Sequence, residues 1–198
     1  MSTHPLYFLR HGETQWNLER KLQGSQDIPL NATGHDQAKA MAAGLFATVP
    51  DAVEHGFSFH VSPLTRTRET MSYVQEHYGL HDDALIIDER LKELNFGTCE
   101  GKTWTEVDKI GPNRETHPAE YHDWLKPGGE SYLSATPRVR DWYDSLSGPT
   151  IVVAHGGISR ILRGFVLGLT KVEIVNLKVS QTKFYRLTGN AIDWFDAL

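Results

Sequence analysis

Short apolar runs and helically spaced apolar positions take turns along this chain. Leu6-Tyr7-Phe8-Leu9 is a continuous run that reads as a short buried strand. Asn31 and Thr33 offer N-cap side chains. Ala38, Met41, Ala42, Leu45 and Phe46 then recur at helical spacing, predicting a helix to about Thr48 with one buried face. Phe57 to Ser62 alternates as a second strand. The helix after it carries Pro63 in its first turn, then Arg66, Arg68, Met71, Val74 and Tyr78, and stops at Gly79. Ala84 to Ile87 is a third strand. Pro149 to Ala154 is a β-branched run suited to a central parallel position, and a helix from Ile158 to about Leu167 follows it. Phe184–Leu187 and Ala191–Phe195 flank Gly189-Asn190, the pattern of a hairpin.

Between these elements, Glu13 to Leu22 is polar and irregular, and Asp88 to Gly97 is charged without a clean period. Gly111 to Gly129 holds three prolines and three glycines around a short helical stretch from Ala119 to Leu125. We expect an irregular insertion or lid at about 101–130. A helix opens at Gly128-Gly129-Glu130-Ser131 and reaches about Leu146. Alternation of strands and helices predicts an α/β fold: a three-layer α/β/α sandwich with a mostly parallel central sheet, as one domain over residues 1–198.

Composition narrows the role. With 39% hydrophobic and 23% charged residues the chain reads as a soluble globular protein. A net charge of −5 argues against nucleic acid or an anionic membrane as partner, although a local cluster of cations can still hold an anionic substrate. The one cysteine, Cys99, rules out an internal disulfide and fits a reducing compartment. No basic segment followed by an apolar core opens the chain and no run is long enough to span a membrane, so a cytoplasmic location is expected.

Two strand ends share one design, an apolar run followed by His and Gly: Leu9-Arg10-His11-Gly12 and Val153-Ala154-His155-Gly156-Gly157. Glycine after the histidine lets the backbone turn and approach a ligand, and a helix starting there points N–H groups at an anion. A third strand end supplies Arg66. Taken singly, each residue has an ordinary explanation: a loop histidine, a solvated arginine, an exposed Glu93. Two arginines and two histidines meeting at one sheet edge suit a phosphoryl group. His77 and His81, with Asp82 and Asp83, invite a metal reading, but Gly79 interrupts the helix between the histidines, and no metal or other cofactor is expected.

Arg10-His11-Gly12-Glu13-Thr14 resembles the signature of the histidine phosphatase superfamily, also called the phosphoglycerate mutase-like family. Further matching segments follow in order: Asn17, the Gln23-Gly24 to Pro29-Leu30 loop, Thr33-Gly34, Ser62 to Thr67, Glu93 to Gly97, Glu100-Gly101, Gly128 to Ser131, and His155 to Gly157. The resemblance implies that His11 is a nucleophile forming a phosphohistidine. It also implies that Arg10 and Arg66 grip the phosphoryl oxygens with Asn17, Gln23, Gly24 and Gly156 around them. His155, as an imidazolium, would donate to an oxygen, and Glu93 would serve as acid and then base. The segment from Gly101 to Lys126 has no adjacent arginine pair of the kind mutases use for a substrate carboxylate, which favours hydrolysis of a small phosphomonoester. A mutase-type isomerase is the alternative, and a non-catalytic binder of phosphorylated ligands is a third reading. The expected partner is a small phosphorylated metabolite, with a homodimer possible; Trp104, Tyr121, His122 and Trp124 are candidates for its specificity pocket.

Overall fold

The computed structural model describes residues 4–198. Its strands are β1 (Leu6–Arg10), β2 (Ser58–Val61), β3 (Leu85–Ile87), β4 (Thr150–Ala154), β5 (Lys183–Thr188) and β6 (Ala191–Asp196). They form one sheet in the order β3-β2-β4-β1-β5-β6. The pairs β3–β2, β2–β4 and β4–β1 are parallel, and the terminal hairpin adds β5 and β6 antiparallel. β4, buried at every position, pairs with both β1 and β2, so three strand ends stand side by side.

Period-two alternation divides the strand side chains between two cores. Tyr7, Leu9, Ile151 and Val153 face α2 (Ala32–Thr48) and α3 (Thr65–Tyr78) through Met41, Leu45, Met71 and Val74. Leu6, Phe8, Val152 and Ala154 face α6 (Tyr132–Asp144) and α7 (Gly156–Leu167) through Val139, Trp142, Ile158 and Leu162. β1 therefore leads toward a helix on one face, and its neighbour β4 leads to a helix on the other. The crevice between the carboxyl ends of two such strands is where open α/β sheets take ligands.

The polar stretch after β1 contains a short helix that its sequence did not announce, α1 (Gln15–Leu18). Its capping box, Thr14 with Asn17, replaces the missing apolar period. The insertion holds α4 (Trp104–Val107) and α5 (Pro118–Asp123), the latter starting at Pro118 rather than Ala119. α8 (Lys171–Asn176), capped by Thr170 and Glu173, was also unforeseen. α3 begins two residues past Pro63 because the Asp27 carboxylate caps it from a distant loop, accepting from Thr65 N–H at 2.7 Å and Thr65 Oγ at 2.8 Å. Gly79, in the left-handed conformation, ends α3 between His77 and His81, and His77 stacks on a half-buried Phe46. Among the described residues no helix is long and apolar enough to cross a membrane.

Candidate active site

Arg10, His11, His155 and Gly156 end β1 and β4, and Arg66 enters from the first turn of α3 beyond β2. Arg10, His11, Arg66 and Gly156 line one cleft of about 340 Å³ with Asn17, Gln23, Gly24 and Glu93. Every residue expected to act in catalysis or phosphate binding, except His155, lines this cleft. His155, fully buried, stands against His11 with ring centroids 5.2 Å apart. Gly12 brings the backbone after β1 onto α2, since a Cβ there would lie 2.2 Å from the Gly34 carbonyl oxygen.

His11 has a defined tautomer. Its Nδ1 lies 2.7 Å from the carbonyl oxygen of Gly12, which can only accept, so Nδ1 carries the proton and Nε2 keeps its lone pair. Burial, reinforced by Arg66 and Arg10, holds the imidazole well below its ordinary pKa. The ring is therefore neutral at pH 7, as a nitrogen nucleophile must be.

The arginines are held by backbone carbonyls rather than by carboxylates. Arg66 donates to the carbonyl oxygens of Gln26 at 2.7 Å and Gly24 at 2.9 Å, and Arg10 to that of Val179 at 3.2 Å. Burial lowers both guanidiniums, each to about 10, so both remain cations at neutral pH. The Nε atoms of Arg10 and Arg66 and Nδ1 of His155 are buried without a protein hydrogen-bond partner among the described residues. Unsatisfied buried donors are costly, and an oxyanion would satisfy them. Asn17 adds an amide whose orientation is fixed: its Oδ1 accepts from Thr14 N–H and from Gln181, leaving Nδ2 as the donor end.

His155 differs from expectation. Burial, then Arg66 and His11, push it well below its usual range, so it is neutral rather than an imidazolium. Its Nε2 lies 2.7 Å from the hydroxyl of Ser62, itself buried at the end of β2. A hydroxyl that donates to Nε2 leaves the ring proton on Nδ1, so a neutral His155 can still donate into the site.

Glu93 sits at the N-terminus of α7. Its Oε2 accepts from Gly157 N–H and its Oε1 from Leu94 N–H, both at 3.0 Å, and a Cβ on Gly157 would lie 2.4 Å from Oε1. Glycine there lets a carboxylate settle on the helix end, in the cleft that Arg10 and His11 also line. Glu100 ties this acid segment to the Gln23–Pro29 loop, accepting from Ser25 N–H at 2.7 Å and Gln26 Nε2 at 2.7 Å. The same loop supplies the carbonyls that hold Arg66.

Of the aromatic residues expected around substrate, only Trp104 lines the cleft, with Phe96 and Tyr132. Tyr121 and His122 are buried away from it, and Tyr121 and Trp124 instead cage the fully buried Lys126 from 4.5 and 5.1 Å. Several residues bearing on the site had no sequence signal: Ser62, which faces His155, Gln181, which fixes Asn17, and the arginines of the cleft's outer part. Their roles come from contacts between segments remote along the chain. Ser62 and Arg114 stood inside segments already singled out, without a role of their own.

Comparison with known proteins agrees with this geometry. A family model for the histidine phosphatase superfamily (branch 1) matches residues 6–195. A probable phosphoglycerate mutase GpmB of Escherichia fergusonii is 29% identical, with 96% of this chain and 89% of the relative covered. The protein of that name from Escherichia coli O1:K1 is 30% identical over the same shares. Among solved structures, mycobacterial hydrolase 1 superposes with a TM-score of 0.80 at 28% identity, covering 98% of this chain and 97% of its own. A mycobacterial glucosyl-3-phosphoglycerate phosphatase complexed with VO3 gives 0.77 at 28%, covering 98% of each.

Proposed function

This chain belongs to the histidine phosphatase superfamily, and from that premise we propose that it hydrolyses a small phosphomonoester through a phosphohistidine on His11. The observation that carries this reading is the bond from Nδ1 of His11 to the Gly12 carbonyl, which leaves Nε2 unprotonated in the cleft that the half-buried Arg10 and the buried Arg66 also line. Nε2 attacks phosphorus, the P–O ester bond breaks, and the departing alkoxide takes the proton of the Glu93 carboxyl group. The Glu93 carboxylate then removes a proton from water, whose oxygen attacks phosphorus as the P–N bond breaks and its electron pair returns to His11. Arg10, Arg66, Asn17 and neutral His155 stabilise the oxygens that do not transfer, with donors fixed in place before the reaction. Protein cations supply the charge compensation, so the reading needs no metal or other cofactor.

Hydrolysis is supported by the structural neighbours named hydrolase and phosphatase, and by an insertion without an adjacent arginine pair. The relatives named probable phosphoglycerate mutase favour a second reading, in which a hydroxyl of the bound product, rather than water, takes the phosphoryl group back. Turnover in water enriched in oxygen-18 separates the two. Hydrolysis predicts steady release of phosphate carrying one labelled oxygen. Interconversion of phosphoglycerates, primed by a bisphosphoglycerate and free of labelled phosphate, would overturn it in favour of the mutase.

A further inference from the structure

Glu93 must bring its carboxyl group within hydrogen-bond reach of the leaving oxygen, yet its own stretch of chain has no regular structure to hold it. After a single turn at Glu89–Leu91, residues 92–96 form neither helix nor strand. Leu91 and Leu94 are fully buried and moor the stretch to the core, while Lys92 and Glu93 between them are only half-buried. Beside the stretch lies a polar hollow of about 380 Å³, with Glu93, Asn95, Glu130 and Arg138 in its walls. Glu93 thus borders open space in both the hollow and the catalytic cleft, and packing alone does not fix where its carboxyl group stands.

Hydrogen bonds from an ion pair do. Arg138, in the middle of α6, donates to the carbonyl oxygens of Arg90 at 2.6 Å, Lys92 at 2.9 Å and Glu93 at 3.5 Å. Its remaining donors make a two-pronged pair with Glu130, Nε to Oε1 at 3.0 Å and Nη2 to Oε2 at 2.9 Å. Glu130 in turn accepts from Asn95 N–H at 2.9 Å, and its own N–H donates to the Asn95 carbonyl oxygen at 2.6 Å. Burial would raise the pKa of Glu130, but the bonds from Arg138 and Asn95 lower it, so the pair stays charged at neutral pH. Each N–H of the guanidinium is engaged, and every bond ends on the acid segment or on the carboxylate that grips it.

We propose that Arg138, backed by Glu130, is the positioning residue of the acid–base group: it fixes the backbone that carries Glu93, so that the carboxyl group docks on Gly157 N–H and faces the cleft. This rests on Glu93 acting as the acid and base of the reaction. Arg138 lines the hollow and not the cleft, so it acts on the reaction only through Glu93. A displacement of about 1 Å at a reacting group can cost about 100-fold in rate, whereas displacing an acid that the leaving group does not need costs little. The effect of Arg138 should therefore grow with the leaving group's need for a proton.

The test compares wild type, Arg138→Met, Arg138→Lys and Glu130→Gln on glycerol 3-phosphate, phenyl phosphate and p-nitrophenyl phosphate, each variant also in a Glu93→Gln background. Arg138→Met should lower kcat by about 30- to 100-fold on glycerol 3-phosphate, less on phenyl phosphate and by no more than about threefold on p-nitrophenyl phosphate, with KM little changed. Arg138→Lys, which keeps the charge but not the fork, should fall between, and Glu130→Gln should show the same order of losses. These two variants carry the comparison if Arg138→Met does not fold. Once Glu93 is replaced by glutamine, Arg138→Met should cost no more than about twofold further on any ester. Equal losses on all three esters, no loss on glycerol 3-phosphate, or the full loss again in the Glu93→Gln background would overturn the positioning role while leaving phosphatase action intact. Equal losses on all three esters from Glu93→Gln itself would remove the acid role, and the positioning role with it. Absence of wild-type turnover on every ester would overturn the phosphatase reading as well.

Discussion

Replacing Lys126 with methionine tests what a buried cation does beneath the cleft. The ammonium is fully buried and has one weak hydrogen bond, to the carbonyl oxygen of Trp124 at 3.4 Å. Aromatic faces surround it: Tyr121 at 4.5 Å, Trp124 at 5.1 Å, Phe96 at 5.6 Å and Tyr132 at 6.0 Å. Burial lowers its pKa from an ordinary 10.5 to about 8, a bias against the charged form of about 3 kcal/mol. The rings return part of this, about 2 kcal/mol for a desolvated cation–π site. Methionine keeps the length and apolar stem of lysine without the charge, so K126M should stabilise the fold by about 1 kcal/mol at pH 7, or roughly 2–4 °C in Tm for a chain of this size. The pH dependence carries the stronger signature. Because the folded-state pKa is lowered, the unfolded chain binds more protons between pH 8 and 10.5, and the charge penalty, complete below pH 8, disappears as pH rises through that window. The wild type should therefore gain stability on going from pH 8 to 10 relative to K126M. Urea unfolding at several pH values measures both effects. Destabilisation of K126M by more than about 1 kcal/mol at pH 7, together with equal pH slopes in the two proteins, would refute the reasoning and make the cage a net stabiliser of the charged lysine.

Three further outcomes follow from the site. Glu93→Gln should cost about 100-fold or more on alkyl phosphates, whose leaving groups need a proton, and much less on p-nitrophenyl phosphate; equal losses would remove Glu93 from the acid role. Ser62→Ala should lower kcat by about 10-fold through loss of the hydroxyl that orients His155, with the unfolding midpoint little changed; an unaltered kcat would show that His155 keeps its orientation without Ser62. His11 and His155 both have folded pKa values below 6.5, so the unfolded chain binds more protons once pH falls under 6.5 and stability declines from there downward. Urea unfolding between pH 7 and 5 should show that decline, smaller in His11→Ala; a flat profile would mean that the two rings are not held neutral.

What could be read before the structure was local chemistry. The apolar runs ending at Arg10-His11-Gly12 and at His155-Gly156-Gly157 mark buried parallel strands whatever surrounds them, and parallel strands place such ends on one edge of a sheet. α2, with its Asn31 cap and single buried face, is equally self-contained. Elements whose stability comes from elsewhere were harder. α3 is capped by Asp27, some 40 residues upstream. α1 and α8 are short and held by capping boxes rather than by an apolar period. The charge state of His155 was misjudged because its burial depends on how β2, β4 and α7 pack, not on the sequence beside it. Tyr121 and His122 looked like pocket walls and are core, since the insertion folds its aromatics around Lys126. Of the outer cleft's arginines, Arg160 carries no local mark, and Arg114 is marked only as one basic residue of the insertion. Arg114 is placed by the carbonyl of Val175 near the end of α8, and Arg160 by that of Leu177 just past it.

The central claim is that His11 carries the phosphoryl group through Nε2. Rapid quenching of the enzyme with a phosphorus-32-labelled phosphomonoester, followed by peptide mass spectrometry and nitrogen NMR of the trapped protein, tests it directly. The account predicts an acid-labile, base-stable label on Nε2 of His11, formed and discharged at rates compatible with turnover and absent from His11→Ala. Label on any other side chain, or full turnover in the His11→Ala variant, would contradict it.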